Sequence, residues 1–509
     1  MRLPRPRPST LLFLALAALA TAPAWIVRHP PLQDLPLHVA AIRVLHSFHD
    51  PAFAFESSFE LTLGRTQYLF YYLLGSLLTS AVGLRAASVA LMSVYLGGTP
   101  LAVRSLCRAL GKDERLAIFV VPLLVNVMFQ LGLLPFMFGI PVMFWALAAA
   151  VNWFEELEGP RRPARLRVLG VRLGVLCFVL FYCHVFPFGL FGLGFALLFP
   201  WTRPRDWITA VLPPAPTLAV MAWWFAFTES GKIARGAVGS TDPVAPLDRA
   251  ISEFNKWALD VFKDTSDEKW LIALLITILL AWGLAQGDRD ETKPAARAFV
   301  ALPIMCLVLY FRMSEARGPV WLFSQRFPIL CLMTLVPLLR FPRGVRGFAT
   351  TIAATGVAVG SIVTTCRHYI AFERDEIGAF DEALEQIPPG KRVASLVYDK
   401  YSHVVNWAPF VHFGSYYQAG KGGVIEFSYA GFAHWPFSFK PGAWPPHSGL
   451  PPDSKPPESW EWRPEAVAVQ GELYPYYDYV LTRGDGFAPP PGTFHIKWHG
   501  DRWAVWQRD

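Results

Sequence analysis

Apolar, nearly uncharged runs recur along this chain from residue 11 to about residue 365, and a fold must bury every one of them. Eleven read as helices that cross a bilayer, at 11–27, 86–103, 116–131, 134–154, 168–184, 186–200, 207–227, 269–286, 298–312, 326–339 and 347–365. Only 17% of the 509 residues are charged, against about 25% in soluble domains, and 53% are hydrophobic. The fold class that follows is a mainly α-helical polytopic membrane protein of about eleven transmembrane helices, with a C-terminal α/β domain.

A twelfth apolar run, at 68–80, decides the topology. If it lies in the outer interface, the basic clusters Arg104/Arg108/Lys112/Arg115, Arg161/Arg162/Arg165/Arg167, Arg203/Arg205, Arg289/Lys293/Arg297 and Arg340/Arg343/Arg346 all fall inside. If it crosses, all of them fall outside. Its crowded aromatics also favour the headgroup level. The expected domains are therefore a membrane domain over 1–365, with outer interfacial helices within 34–82, and a soluble extracytoplasmic domain over 366–509. The N-terminus is expected inside a plasma (inner) membrane. Ala22-Pro23-Ala24 resembles a signal-peptidase site, and cleavage there would still leave Asp34 outside. Leu212-Pro-Pro-Ala-Pro is expected to kink its span.

The tail carries 13 Lys+Arg against 17 Asp+Glu, a net of −4, while residues 1–365 carry 33 against 22, a net of +11. A basic membrane part with an acidic tail follows topology rules and excludes a nucleic-acid partner. The six cysteines end at Cys366 and include no C-x-x-C pair. In the tail, periodicity predicts a helix over 369–387 ended by Pro388-Pro389-Gly390. Strands are expected from Arg392 and from Tyr479, and a hairpin from Phe494 through Trp503. Lys421-Gly422-Gly423 lacks the remainder of a phosphate loop and reads as a turn. His412, His434 and His447 lack helical metal spacing, so no metal ligand is assigned.

Candidate chemistry gathers just past the first run, in Gln33-Asp34-Leu35-Pro36-Leu37-His38. On a helix starting here, Asp34 and His38 share a face and Leu35, Val39, Ile42 and Leu45 form an apolar stripe that suits a helix lying flat in the bilayer. The pair suits acid–base work on a lipid-linked substrate; the structural alternative is a helix cap and a wet interfacial histidine. Glu56 and Glu60 lie on the same side, with solvated loop charges as the alternative. His184 ends an apolar run, where it is either functional or an interhelical hydrogen bonder. Arg326 ends another and suits a phosphate, or else snorkels. Arg65 and Arg317 are weaker candidates of that kind.

An outward Asp after the first span, interfacial segments, many spans and an outer C-terminal α/β domain together resemble the GT-C superfamily of membrane glycosyltransferases. More narrowly, Asp34-Leu-Pro-Leu-His38, Tyr416-Tyr-Gln-Ala-Gly-Lys-Gly-Gly423 and Tyr477-Asp-Tyr-Val-Leu resemble an uncharacterised bacterial multi-pass, glycosyltransferase-like group. The resemblance implies a polyprenyl-phosphate-sugar donor drawn from the membrane lipid, inverting transfer to an extracytoplasmic acceptor, and Asp34 as general base. His38 would orient Asp34 or share its proton, and Arg326 and His184 would meet the phosphate. The superfamily's paired-acid form is absent, since Gln33 precedes Asp34; a divalent metal ion remains a possible cofactor. A non-catalytic scaffold or assembly factor of the same fold is the main alternative, and a lipid or polysaccharide transporter the second.

Overall fold

A computed structural model describes residues 8–159, 161–239, 242–286, 293–317, 320–445, 461, 464 and 473–509. Contacts divide the chain into two compact units. A helical unit comprises residues 1–26, 91–129 and 135–366, and a mixed unit comprises 27–90, 130–134 and 367–509.

Among the described residues, five helices are long and apolar enough to cross a membrane: Leu84–Ala109, Leu134–Glu158, Pro163–Cys183, Pro294–Arg312 and Gly344–Glu376. The pair Pro204–Val211 and Ala215–Phe227 makes a sixth if counted as one span, bent by 74° where Pro213 and Pro214 interrupt it. That is the kink expected of the Pro-rich stretch. Five further apolar helices hold 10–17 residues, so among the described residues length and composition alone do not reach the expected eleven spans. The run at 116–131 departs most from expectation. It forms a 3₁₀ segment, Glu114–Leu123, and a single α-turn, Val127–Gln130. Pro122 removes a donor there. Asn126 then takes over the backbone, its amide donating to Leu123 O at 2.9 Å and its carbonyl accepting from Phe129 N at 3.1 Å. The helix Ser266–Leu284 has 19 residues but begins with Asp267, Glu268 and Lys269.

The mixed unit joins the first loop to the C-terminal segment. Its strands are β1 (Phe59–Leu61), β2 (Arg392–Val397), β3 (Val424–Ile425), β4 (Phe437–Phe439), β5 (Tyr479–Arg483), β6 (Phe494–His499) and β7 (Trp503–Arg508). Five of them form a sheet in the order β3-β2-β5-β7-β6, parallel from β3 to β5 and antiparallel beyond. Every residue of β5 is buried, as a central strand covered on both faces requires. The four strands predicted from the tail sequence are all present. The expected helix over 369–387 is broken instead, ending at Glu376 and resuming as Phe380–Glu385. The Lys421-Gly422-Gly423 stretch is a turn, as expected, with Gly422 and Gly423 both at φ 74°. Lys421 Nζ donates to Leu384 O at 2.7 Å and Ile387 O at 2.7 Å, capping the end of that second helix.

β1 pairs antiparallel with β4, and helix Leu35–His46 packs against Ser415–Lys421 and Phe70–Val82. Nine of the twelve residues of Leu35–His46 are buried, with Leu37, Ala41 and Val44 as enclosed as Leu35 and Ile42. A helix that is apolar nearly all round is enclosed by protein rather than laid in a bilayer, which corrects the flat-lying expectation. Each large aliphatic side chain buried there contributes about 1.5–3 kcal/mol. Phe70–Val82 differs. It buries Tyr71, Tyr72, Gly75 and Thr79 and exposes Leu73 and Leu77. Its 13 residues reach roughly 20 Å, short of the ~30 Å hydrocarbon core.

Candidate active site

Asp34 sits immediately before helix Leu35–His46, the position of a helix cap, yet its side chain makes no capping bond. The carboxylate turns the other way. Its Oδ2 accepts from the Tyr429 hydroxyl at 2.7 Å, and its Oδ1 lies 3.7 Å from His412 Nε2. The capping alternative is therefore not what this residue does. With a side chain 17% exposed, it is the most open member of the group, beside 5% for His412 and 2% for Glu461.

The backbone at Asp34 is held by a short return of chain at 130–134. Gln33 N donates to Gln130 O at 3.1 Å, Asp34 N donates to Leu131 O at 3.2 Å, and the Gln130 amide donates to Pro31 O. Gly132 follows at φ +80°, where a Cβ would stand 2.7 Å from Asp34 N. No larger residue fits that approach.

His38 does not reach Asp34. Its Nε2 lies 2.8 Å from Gly132 O and its Nδ1 2.7 Å from the Tyr72 hydroxyl. A carbonyl only accepts, so Nε2 carries the proton and Nδ1 accepts from Tyr72. Burial, with His412 adding to it and the Gly132 bond opposing, pushes this imidazole down to about 3. A histidine neutral over the whole physiological range shares no proton with a base. Its part is indirect: it fixes Gly132, and Gly132 packs on Asp34.

That shift fixes a sign for stability. Unfolded, His38 takes up a proton near 6.5; folded, only near 3. The unfolded state binds more protons between those values, so the contribution is present above pH 6.5 and is lost as pH falls toward 3. His29, buried beside Arg28 and Arg85 and likewise pushed to about 3, acts in the same window. Replacing His38 with Gln is expected to flatten stability against pH between 3 and 6.5 by one proton, about 1.4 kcal/mol per pH unit. Thermal melts in detergent across that range give the slope; an unchanged slope would show that His38 titrates normally.

Aromatic faces surround the carboxylate. Tyr429 stacks on Trp435 with ring centroids 3.6 Å apart and planes 15° from parallel, and Trp435 lies 5.0 Å from Tyr72 and 5.5 Å from His38. Behind Asp34, His412 Nδ1 lies 2.6 Å from Glu461 Oε2, and its ring stacks on Phe427 at 4.8 Å. Burial raises the Asp34 carboxyl above its ordinary range, against the pull of His412 and the Tyr429 bond. Burial alone would lower His412, but Glu461 and Asp34 outweigh it and hold the imidazole above 6.5.

Glu56, Glu60 and Arg65 lie at the surface of the mixed unit. Glu56 pairs with His49, and Glu60, in β1, accepts from Ser438 Oγ at 3.1 Å. In the helical unit, His184 caps helix Val185–Leu198, its Nδ1 accepting from Phe186 N at 3.1 Å. Its ring lies 5.4 Å from Phe136 and 5.6 Å from Phe186. The Arg326 guanidinium rests on the same two rings, 4.5 Å from Phe186 and 5.7 Å from Phe136. These two candidates do share one aromatic setting. Arg317 lies apart, donating to Ala237 O at 2.9 Å.

Among the described residues, no three-residue set of ligand atoms gathers around Asp34. Asp260, Asp267 and Glu268 do bring ligand atoms within 4.8 Å of one another. Asp267 there accepts from Val261 N and Phe262 N, which accounts for part of that cluster as the start of a helix.

Sequence reasoning missed His412, Glu461, Tyr429 and Gly132. Metal spacing is the one sequence signal His412 offers, and Tyr429 stands 395 residues from its partner. His447 lies outside the described residues.

No protein-family profile and no curated protein matches this chain. Solved structures do. ArnT from Cupriavidus metallidurans in the apo state aligns over 98% of this chain and 97% of its own, at 12% identity and a TM-score of 0.56. The same protein bound to undecaprenyl phosphate aligns over the same shares at 0.46 and 12% identity. The archaeal oligosaccharyltransferase AglB from Archaeoglobus fulgidus, in complex with an inhibitory peptide and a dolichol-phosphate, aligns at 0.36 and 11% identity, over 93% of this chain and 70% of its own. The chain has a GT-C-type fold.

Proposed function

We propose that this chain, with its GT-C-type fold, is a membrane glycosyltransferase that moves a sugar from a polyprenyl-phosphate carrier to an extracytoplasmic acceptor. The observation that carries the reading is the Asp34 side chain, withdrawn from its capping position and turned toward Tyr429 and His412 within an aromatic wall. In the reaction the Asp34 carboxylate takes the proton from the acceptor hydroxyl as its oxygen attacks the anomeric carbon. The bond from that carbon to the phosphate oxygen breaks, and the electron pair leaves with the lipid phosphate. Tyr429 orients the carboxylate. In the helical unit, the Arg326 guanidinium, carried on Phe136 and Phe186 with His184 beside those rings, is of a chemistry that suits a phosphate.

The test is Asp34→Asn, which removes the base and keeps the shape. Wild-type protein restores the missing glycan or modified lipid to a strain lacking the gene, read by mass spectrometry of the envelope. Asp34→Asn is expected to restore none while still binding undecaprenyl phosphate in nanodiscs. Full restoration by the variant would put the scaffold reading ahead.

The proposed topology places the C-terminal domain outside and the loop before Pro294–Arg312 inside. In a cysteine-free background, Tyr401→Cys, at a 61% exposed position, is expected to react with an impermeant maleimide on intact cells, and Pro294→Cys only after lysis. The reverse pattern would invert the topology and remove Asp34 from the outer face.

A further inference from the structure

We propose that His412 and Glu461 complete the Asp34 site: Glu461 holds His412 as an imidazolium whose Nε2–H faces Asp34, and that fixed charge keeps the carboxylate ionised and able to accept a proton. The inference rests on Asp34 as the base and adds two positioning residues, neither of which touches the substrate.

Geometry makes the case. The three side chains form a line, with Asp34 Oδ1 3.7 Å from His412 Nε2 and His412 Nδ1 2.6 Å from Glu461 Oε2. The line runs from the partly open carboxylate to one that is 2% exposed. Glu461 is fixed in turn. Its N–H donates to Glu426 Oε1 at 3.2 Å, and its carbonyl accepts from Val397 N, at the end of β2, at 3.0 Å. His412 is held at φ +75°, a left-handed conformation that costs a residue with a Cβ about 1–2 kcal/mol. Its carbonyl accepts from Ser415 N at 2.9 Å, at the start of helix Ser415–Lys421, and its ring lies flat on Phe427. A strained backbone kept by so many contacts marks a side chain whose direction matters.

The charges facing His412 explain what that direction achieves. Asp34 lies on one side; Glu461 lies on the other, with the buried Glu426 behind it. His38 is neutral and Tyr429 remains a phenol, so neither supplies a positive charge. Burial alone turns Asp34 toward its acid form, which cannot serve as a base. An imidazolium within 4 Å opposes that, since an opposite charge at such a distance lowers a carboxyl by about 1–3 pH units from where burial alone would leave it. Glu461 neutralises the imidazolium on its far side, so the charge can stay in a buried place.

Infrared spectroscopy of the full-length protein in nanodiscs reads the Asp34 carboxyl through the C=O stretch of its acid form, assigned as the band absent from Asp34→Asn. His412→Asn removes the charge with a residue that tolerates the left-handed backbone. The Asp34 band is expected to persist at least about one pH unit higher in His412→Asn than in wild type, so tenfold more acid form is present at a given pH. Glu461→Gln, which leaves His412 in place without its partner, is expected to move the band in the same direction. An unmoved midpoint in both variants, with melting temperatures showing both folded, overturns the proposal. Loss of the glycan or modified lipid in Asp34→Asn together with an unmoved midpoint removes only this inference; retained transfer in Asp34→Asn removes the base reading itself.

Discussion

Gly132→Ala is expected to abolish transfer as completely as removing the Asp34 carboxylate, although residue 132 contributes no side chain to the site. Two costs meet at this position. The backbone is at φ +80°, where any Cβ is strained, and the added Cβ would lie 2.7 Å from Asp34 N and 3.0 Å from Asp34 Cβ. The atoms in the way are backbone or its first carbon, so no flexible side-chain end can swing aside. Either Asp34 N gives up Leu131 O or Gly132 O gives up His38. Each lost bond strands a buried polar group at about 1–3 kcal/mol, on top of about 1–2 kcal/mol of backbone strain. The melting temperature should fall with activity. Gly64→Ala is the control, because a Cβ there meets nothing within 4 Å. Activity in Gly132→Ala within a few-fold of wild type would mean that Asp34 is not held by this return of chain.

Why Gly132 was invisible in the sequence, while Asp34 was not, comes down to range. Asp34 was legible because Leu35-Pro36-Leu37 starts a helix and a carboxylate before it asks for a role. The sheet was legible for a similar reason, since Arg392–Val397 and Tyr479–Arg483 each carry a compact apolar run bounded by turn residues. Helix breaks were legible where proline forces them, as at Pro213 and Pro214, and missed at 116–131, where Asn126 competes for backbone partners. The flat-lying reading of Leu35–His46 fails because Leu37, Ala41 and Val44, outside the stripe, are apolar as well and are buried with it. The partners of Asp34 follow no local pattern at all. Tyr429 and His412 reach it from a stretch rich in aromatics and glycine, with no period to show which side chain points where.

Arg483 gives the second large effect, and its direction depends on what replaces it. The side chain is wholly buried in β5, with its guanidinium 3.4 Å from the centroid of Phe410 and 5.4 Å from Trp503. Nε donates to Asp399 O at 2.9 Å, while Nη2 stands 3.4 Å from the Asp399 carboxylate, which is itself 48% exposed. Burial lowers the guanidinium to about 10, so it remains charged at neutral pH in a place that disfavours charge. Packing against two aromatic rings, and not the half-exposed ion pair, is then what the residue supplies. Arg483→Ala should open a cavity under Phe410 and cost about 3–5 kcal/mol, by analogy with large-to-small changes in cores. Arg483→Met fills the same space without a charge to desolvate, and Asp399 can return to water. It should come within about 1 kcal/mol of wild type, or exceed it. Phe410 stands two residues before His412, so Arg483→Ala should also loosen that strained turn and raise the Asp34 band as His412→Asn does, whereas Arg483→Met should leave it in place. Equal losses of stability in the two variants would instead make the charge, through Asp399, the feature that matters.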